Sequence, residues 1–399
     1  MNLHLYGYHL VQAYNERHGT DYDPPGFFAS VAAPLLFDDA GDALHVSNSP
    51  FFQKKRQHEG AERVEAALTD LREKITAGRI DGAIVPGGPA KNRAQATASG
   101  LTDVDFGLTP KDGYAAWLGL ACGMTVSRGF TLFDQAACLP LFEGWPRYRA
   151  FVAANAKMKW RQLPTWNAYW IVDEPEEGVP PVLDQHSNST REIQTCPWHL
   201  TMMALARLSD TPRTLFITKY GQTNTTVGYV PFAPRSIRRL YDLYAATVES
   251  NRPLFQLIGQ LKVHFSMRQV ATLGQIGLEA FRPARLLDDD LPDDPAFHTA
   301  WILLMLDNDA LRDTAETAAT QLRTYAEGAT RDKTNRSNDV DRLLEASTKT
   351  QFATALERIV DEVPDPAYRE LMNAALDVPD TQFRLFTRLI AIYYKTTQP

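Results

Sequence analysis

Cysteine is scarce in this sequence: three residues in 399, Cys122, Cys138 and Cys196, far apart from one another. That excludes a disulfide framework and fits a reducing, cytoplasmic setting. Long apolar runs are lacking as well. The longest, near residues 115–121 and 301–306, fall far short of a bilayer span, so a soluble chain without a membrane partner is expected. The opening stretch MNLHLYGYHLVQAYNERHG has no basic region ahead of an apolar core, which is not the pattern of a signal peptide. Catalytic signatures are missing in turn: GxSxG, HExxH, a Walker loop, GxGxxG and a His-Asp doublet are all absent. A non-enzymatic chain without a cofactor is the expectation.

Basic charge is in short supply overall, with a formal net charge of −7. The average conceals a gradient. Residues 271–399 hold 14 Lys and Arg against 22 Asp and Glu. Residues 211–278 hold eight basic side chains (Arg213, Lys219, Arg235, Arg238, Arg239, Arg252, Lys262 and Arg268) against two acids, Asp242 and Glu249. Phosphate binding answers to local field, so the local excess points to nucleic acid where the total does not.

The length exceeds what one core usually supports. The segment LDDDLPDDP at 287–295 concentrates acids and prolines, repels itself and reads as an exposed connection. Residues 1–286 are therefore expected as a mixed, nucleic-acid-binding domain and 287–399 as a C-terminal helical bundle, an α+β chain overall. Apolar residues beyond the boundary, from Phe297 through Tyr325, Val340 through Val363, Tyr368 through Ala375 and Phe383 through Tyr393, recur at helical spacing and predict about four helices. The polar run 327–339 reads as a loop. Before the boundary, helices are predicted over 59–77, 114–124 and 140–158. Thr109, Pro110 and Asp112 give the start signals of the second of these. Ala and Gly along that helix permit close packing. Strands are predicted over 80–85, 130–133 and 166–172, with a hairpin pairing 214–220 to 227–232.

Three weak chemical candidates stand out. Asp103 and Asp105 with Lys111 offer carboxylates for a divalent cation, although a turn before a capped helix explains them better. Cys196 and His199 have the spacing of half a zinc site, without a second pair to complete it. The acidic run 173–177 reads as a solvated turn. Binding features are richer. Residues 82–102 contain no acid and carry Lys91, Asn92, Arg93 and Gln95 about a glycine-rich turn, where backbone N–H groups can approach an anion. The hairpin tip holds Lys219, Gln222 and Asn224 beside Tyr220 and Tyr229; such amides read base edges. Next come Arg235, Arg238 and Arg239 at a helix start, where cations oppose the dipole, and then Lys262, His264 and Arg268. Charge, amide and aromatic interleave as in a nucleic-acid groove.

The segments GYAAWLGLACGMTVSRGFTLFD, LFEGWPRYRAF and LPTWNAYWIV resemble the large subunit of some type I CRISPR surveillance (Cascade) complexes, as does the layout of a mixed domain before a helical bundle. The resemblance implies a non-catalytic subunit contacting the crRNA 5′ handle and reading the protospacer-adjacent motif of target DNA, with guide pairing supplying most of the specificity. It implies crRNA, target DNA and other Cascade subunits as partners, with Lys91, Asn92, Arg93, Gln95 and the Lys219 hairpin tip as readers. Arg128, inside the first segment, joins the binding set. An acidic bundle implies protein partners as well, such as basic backbone subunits or a recruited nuclease or transposition factor. Two other readings stand beside it: a stand-alone metal-dependent nuclease using Asp103 and Asp105, and a protein-interaction scaffold.

Overall fold

Thr109 starts the helix on which the N-terminal half is built. In the computed structural model, its side chain accepts from the Asp112 N–H, Pro110 takes the first helical turn, and the Asp112 carboxylate accepts from the Thr109 N–H at 2.5 Å. The model describes residues 3–38, 41–44, 46, 49–54, 58, 60–78, 84–88, 107–127, 129–155, 157–172, 183–185, 190–219, 225–248, 250, 252–288, 290–328 and 333–396. The Asp112 carboxyl also accepts from the hydroxyls of Thr109 and Tyr8. Partial burial pushes this carboxyl up, but the hydrogen bonds outweigh it and hold it below the usual value.

The fold is α+β with a helical C-terminal region, and contacts divide it into two compact units. One comprises Met1–Pro234 and Met267–Ile276, the other Arg235–Ser266 and Gly277–Pro399. The acidic segment 287–295 lies inside the second unit. The first unit contains α1 (Leu3–His18), α2 (Gly60–Thr76), α3 (Pro110–Ala121), β1 (Met124–Ser127), β2 (Phe130–Phe133), α4 (Trp145–Ala154), α5 (Leu163–Trp170), α6 (Trp198–Leu208), β3 (Arg213–Lys219) and β4 (Thr225–Phe232). Its larger sheet is four-stranded and antiparallel in the order β1-β2-β3-β4, and Leu183–Gln185 pairs with Arg191–Ile193 in a separate two-stranded one. The expected hairpin is β3 and β4, with Phe216 opposite Tyr229 and Lys219 opposite Thr225.

Helices α1 and α3 touch through glycine. A Cβ on Gly7 would lie 1.9 Å from the Ala115 carbonyl oxygen, and one on Gly119 would lie 1.9 Å from that of Leu3. Backbones this close leave no room for a methyl group, so the small residues of α3 determine the crossing. Trp117 on α3 donates its indole N–H to the Ile84 carbonyl, and Phe37 stacks on Phe51 beside it. Buried ion pairs tie the periphery in, with Asp42 accepting from Arg63 at 2.8 Å and from Arg161 at 3.3 Å.

Several sequence expectations change. Residues 166–172 are not a strand; α5 covers Leu163–Trp170, and Leu163, Trp166, Asn167 and Tyr169 are buried on it. Asn167 donates to the carbonyls of Ala121 and Gly123, joining α5 to the end of α3 and the start of β1. The helix expected over 140–158 is two helices, Cys138–Glu143 and α4, because Gly144 packs against the Trp170 ring and Pro146 begins a new helix. Ile84 and Val85 sit in a turn; residues 80–83 of that expected strand are outside the described residues.

The second unit opens with α7 (Pro234–Thr247) and α8 (Leu254–Gln260). It continues with six helices among the described residues rather than four. They are α9 (Pro295–Leu306), α10 (Leu311–Glu327), α11 (Lys333–Leu344), α12 (Lys349–Glu362), α13 (Pro366–Asp377) and α14 (Phe383–Thr396). The periodicity from Phe297 to Tyr325 hides a break at Asp307, whose left-handed backbone (φ 49°) ends α9. The run read as a loop over 327–339 is helical from Lys333 onward. Asp294 caps α9 by accepting from the Phe297 N–H, and the Tyr244 hydroxyl of α7 donates to the same carboxylate at 2.6 Å. No helix among the described residues is long and apolar enough to cross a membrane.

Candidate nucleic-acid interface

The basic stretch 211–278 is divided between the two units, and its cations have unequal surroundings. In the first unit, Arg213 begins β3 and is enclosed. Its guanidinium meets Asp134 at 2.8–2.9 Å, donates to the carbonyls of Leu205 and Ser209, and lies over the Phe232 ring. All of its charge is used inside the fold. Lys219 ends the same strand, exposed, with its ammonium 5.7 Å from the Phe130 ring centroid. Tyr229 on the edge strand β4 is 50% exposed while its ring covers Phe216 at 5.0 Å, an aromatic surface further along the hairpin from Lys219. Gly228 beside it has φ 130°, where the β3–β4 register shifts and the edge twists. Arg268 is exposed on the short helix Met267–Val270.

In the second unit, α7 is strongly two-faced. Ile237, Leu240 and Tyr244 are buried, whereas Arg235, Arg238, Arg239 and Asp242 occupy the solvent side at three- and four-residue steps. Arg239 leans toward Asp307 at 3.5 Å and Asp309 at 3.8 Å, all three exposed. Arg235 has no ion pair among the described residues. Lys262 pairs with Asp293 at 2.6 Å, holding that carboxyl below its usual value, and both are about 70% exposed. Exposed pairs of this kind are weak and salt-screened, so a phosphate can replace the carboxylate. Guanidinium groups one helical turn apart offer planar, forked donors suited to phosphate oxygens.

Lys91, Asn92, Arg93, Gln95, Arg128, Gln222 and Asn224 lie outside the described residues, as do Asp103 and Asp105. Lys111, grouped with those two acids, pairs with Asp23 at 3.3 Å. Cys196 and His199 are buried; the Cys196 Sγ accepts from the Thr201 hydroxyl, and burial pushes its thiol up to about 12. Among the described residues no group of three His, Cys, Asp or Glu gathers as a metal site.

Two features escaped the sequence reading. The enclosure of Arg213 depends on Asp134, 79 residues away, and a charge count cannot see it. The exposure of Tyr229 was not separable from that of Tyr220 and Phe232, although its position opposite a buried Phe216 follows from hairpin register.

No family model matches the chain, and neither a curated protein nor a solved structure matches it.

Proposed function

We propose that this chain is a non-catalytic nucleic-acid-binding subunit of an RNA-guided DNA-targeting complex of the CRISPR Cascade kind. It holds the crRNA 5′ handle and reads the protospacer-adjacent motif of the target duplex. The observation that carries the binding part is the row of Arg235, Arg238 and Arg239 along the exposed face of α7, a helix whose other face is buried. A rigid helix bearing cations at one-turn spacing suits a phosphate backbone; in the first unit, exposed Lys219 and exposed Tyr229 separately offer a cation and a stacking surface. The resemblance of residues 113–134, 141–151 and 163–172 to Cascade large subunits supports the assembly, with other Cascade subunits as partners in the cytoplasm. Guide pairing then supplies sequence specificity, and this chain contributes backbone contacts and a short duplex motif.

The test is fluorescence anisotropy at low salt with a crRNA-type RNA and a short duplex. The parent chain binds both, and Arg235→Glu with Arg238→Glu lowers affinity at least about tenfold with the melting temperature unchanged. Equal affinity in the double variant overturns the assignment of α7. A second reading, a protein-interaction scaffold, is favoured by one observation: Arg213, Arg239 and Lys262 each meet a carboxylate of the chain itself. Absence of any shift with either nucleic acid at low salt selects it.

A further inference from the structure

Helices α12 and α13, joined by residues 363–365, touch each other, and a cleft of about 540 Å³ opens between them. Its apolar lining is Leu356, Val360, Pro364, Tyr368 and Met372. Leu356 and Tyr368 are buried and form the floor. The Tyr368 hydroxyl donates away from the cleft to the Gln321 carbonyl, so the floor presents ring and alkyl carbon. One turn beyond Met372, Leu376 is 58% exposed, and Val363 at the turn is 38% exposed. Tyr368, Met372 and Leu376 thus make a continuous stripe at four-residue steps along α13, and Leu356 and Val360 face it from α12.

Apolar carbon in an open groove along two helices, without converging polar groups in the floor, suits an amphipathic helix better than a small polar ligand. The rim says what kind. Glu362 is held by Arg336, and Asp365 caps α13 by accepting from the Ala367 N–H. Glu357 and Asp361, one turn apart on α12, have no ion pair among the described residues, and like charges at that spacing repel each other. On the α13 side, Arg369 has no ion pair among the described residues either. The rim is net acidic on one wall, and the surrounding bundle is acidic too.

We infer that the α12–α13 cleft is a docking groove for an amphipathic helix of a partner protein, its apolar anchors at i, i+3/i+4 and i+7 flanked by Lys or Arg that meet Glu357 and Asp361. The inference is independent of the nucleic-acid reading, since it uses neither α7 nor the hairpin. It gives the bundle a recruiting face of opposite charge preference to α7.

The probe is a fluorescein-labelled helical peptide of roughly 15 residues, leucines at the anchor positions and lysines beside them, compared with a peptide carrying Glu for each Lys. With the full chain, the basic peptide binds at least about tenfold more tightly. Val360→Glu abolishes that binding, with the melting curve as the check on folding. Glu357→Lys with Asp361→Lys reverses the preference toward the acidic peptide, and this variant keeps the test intact if Val360→Glu fails to fold. Binding of neither peptide, equal binding of both, or binding indifferent to the Lys pair overturns the proposal. So does a dimer of this chain that dissociates in Val360→Glu by analytical ultracentrifugation, which makes a second copy the occupant.

Discussion

Arg213 at the head of β3 and Asp134 just after β2 form a two-pronged ion pair, the guanidinium Nε lying 2.9 Å from both carboxylate oxygens and the Asp134 side chain fully enclosed. Asp134 also accepts from the Ala136 N–H, and Arg213 closes over Phe232. Removing one partner strands a buried charge, which costs about 3–5 kcal/mol. Asp134→Ala is therefore expected to lower unfolding stability by that amount in urea titrations at neutral pH. A loss below about 1 kcal/mol shows that the pair is not a structural anchor.

The crossing of α1 and α3 yields the second prediction. Alanine is ordinarily better than glycine in a helix by about 1 kcal/mol. At Gly7 and Gly119 the added methyl group meets a backbone carbonyl, and the helices must separate. Each Gly→Ala change is expected to destabilise, toward the upper end of about 1–3 kcal/mol. Gly113→Ala, which meets the Ile75 side chain at 3.2 Å and no backbone, serves as the milder control. Equal effects at all three positions in thermal melts contradict the close crossing.

The Asp112 cap predicts a pH response. Its carboxyl titrates below its ordinary value in the folded chain, so its contribution is fully present above that value, near 3.8, and is lost as pH falls through the folded one. Asp112→Asn removes the charge-assisted half of the capping box and is expected to cost about 0.5–2 kcal/mol at pH 7. The difference from the parent shrinks as pH drops into the acid range. A difference constant with pH contradicts the cap.

The thiols give a simple check of burial. Cys122, Cys138 and Cys196 are all buried, and the hydrogen bond with Cys122, with burial and the nearby Asp134 charge, raises the Cys138 thiol. Iodoacetamide at mildly alkaline pH is expected to label none of them in the folded chain and all three in urea. Rapid labelling of Cys196 under native conditions reopens the half zinc site with His199.

The hairpin, the capped α3 and the helical C-terminal region were legible because each has a local cause: turn residues between alternating runs, Thr109 with Asp112, and apolar stripes at helical steps. Elements decided by tertiary neighbours were not. The aromatic run of α5 reads as a strand until Asn167 is seen joined to the carbonyls of Ala121 and Gly123. The breaks at Gly144 and Asp307 are hidden because apolar periodicity carries across them. The basic stretch was visible as a charge excess, but composition could not separate enclosed Arg213 from exposed Arg235. Lys91, Asn92, Arg93 and Gln95 of the acid-free loop lie outside the described residues; α7 in the second unit and the hairpin in the first are each a candidate surface by itself.

Phosphate binding by α7 is read out by the salt dependence of duplex binding, measured for the parent chain and for Arg235→Ala with Arg238→Ala. Each phosphate contact contributes about 0.9 to the slope of log affinity against log salt. The double variant is expected to show a slope shallower by about 2, with weaker binding at every salt concentration. Identical slopes and affinities in the two proteins contradict it.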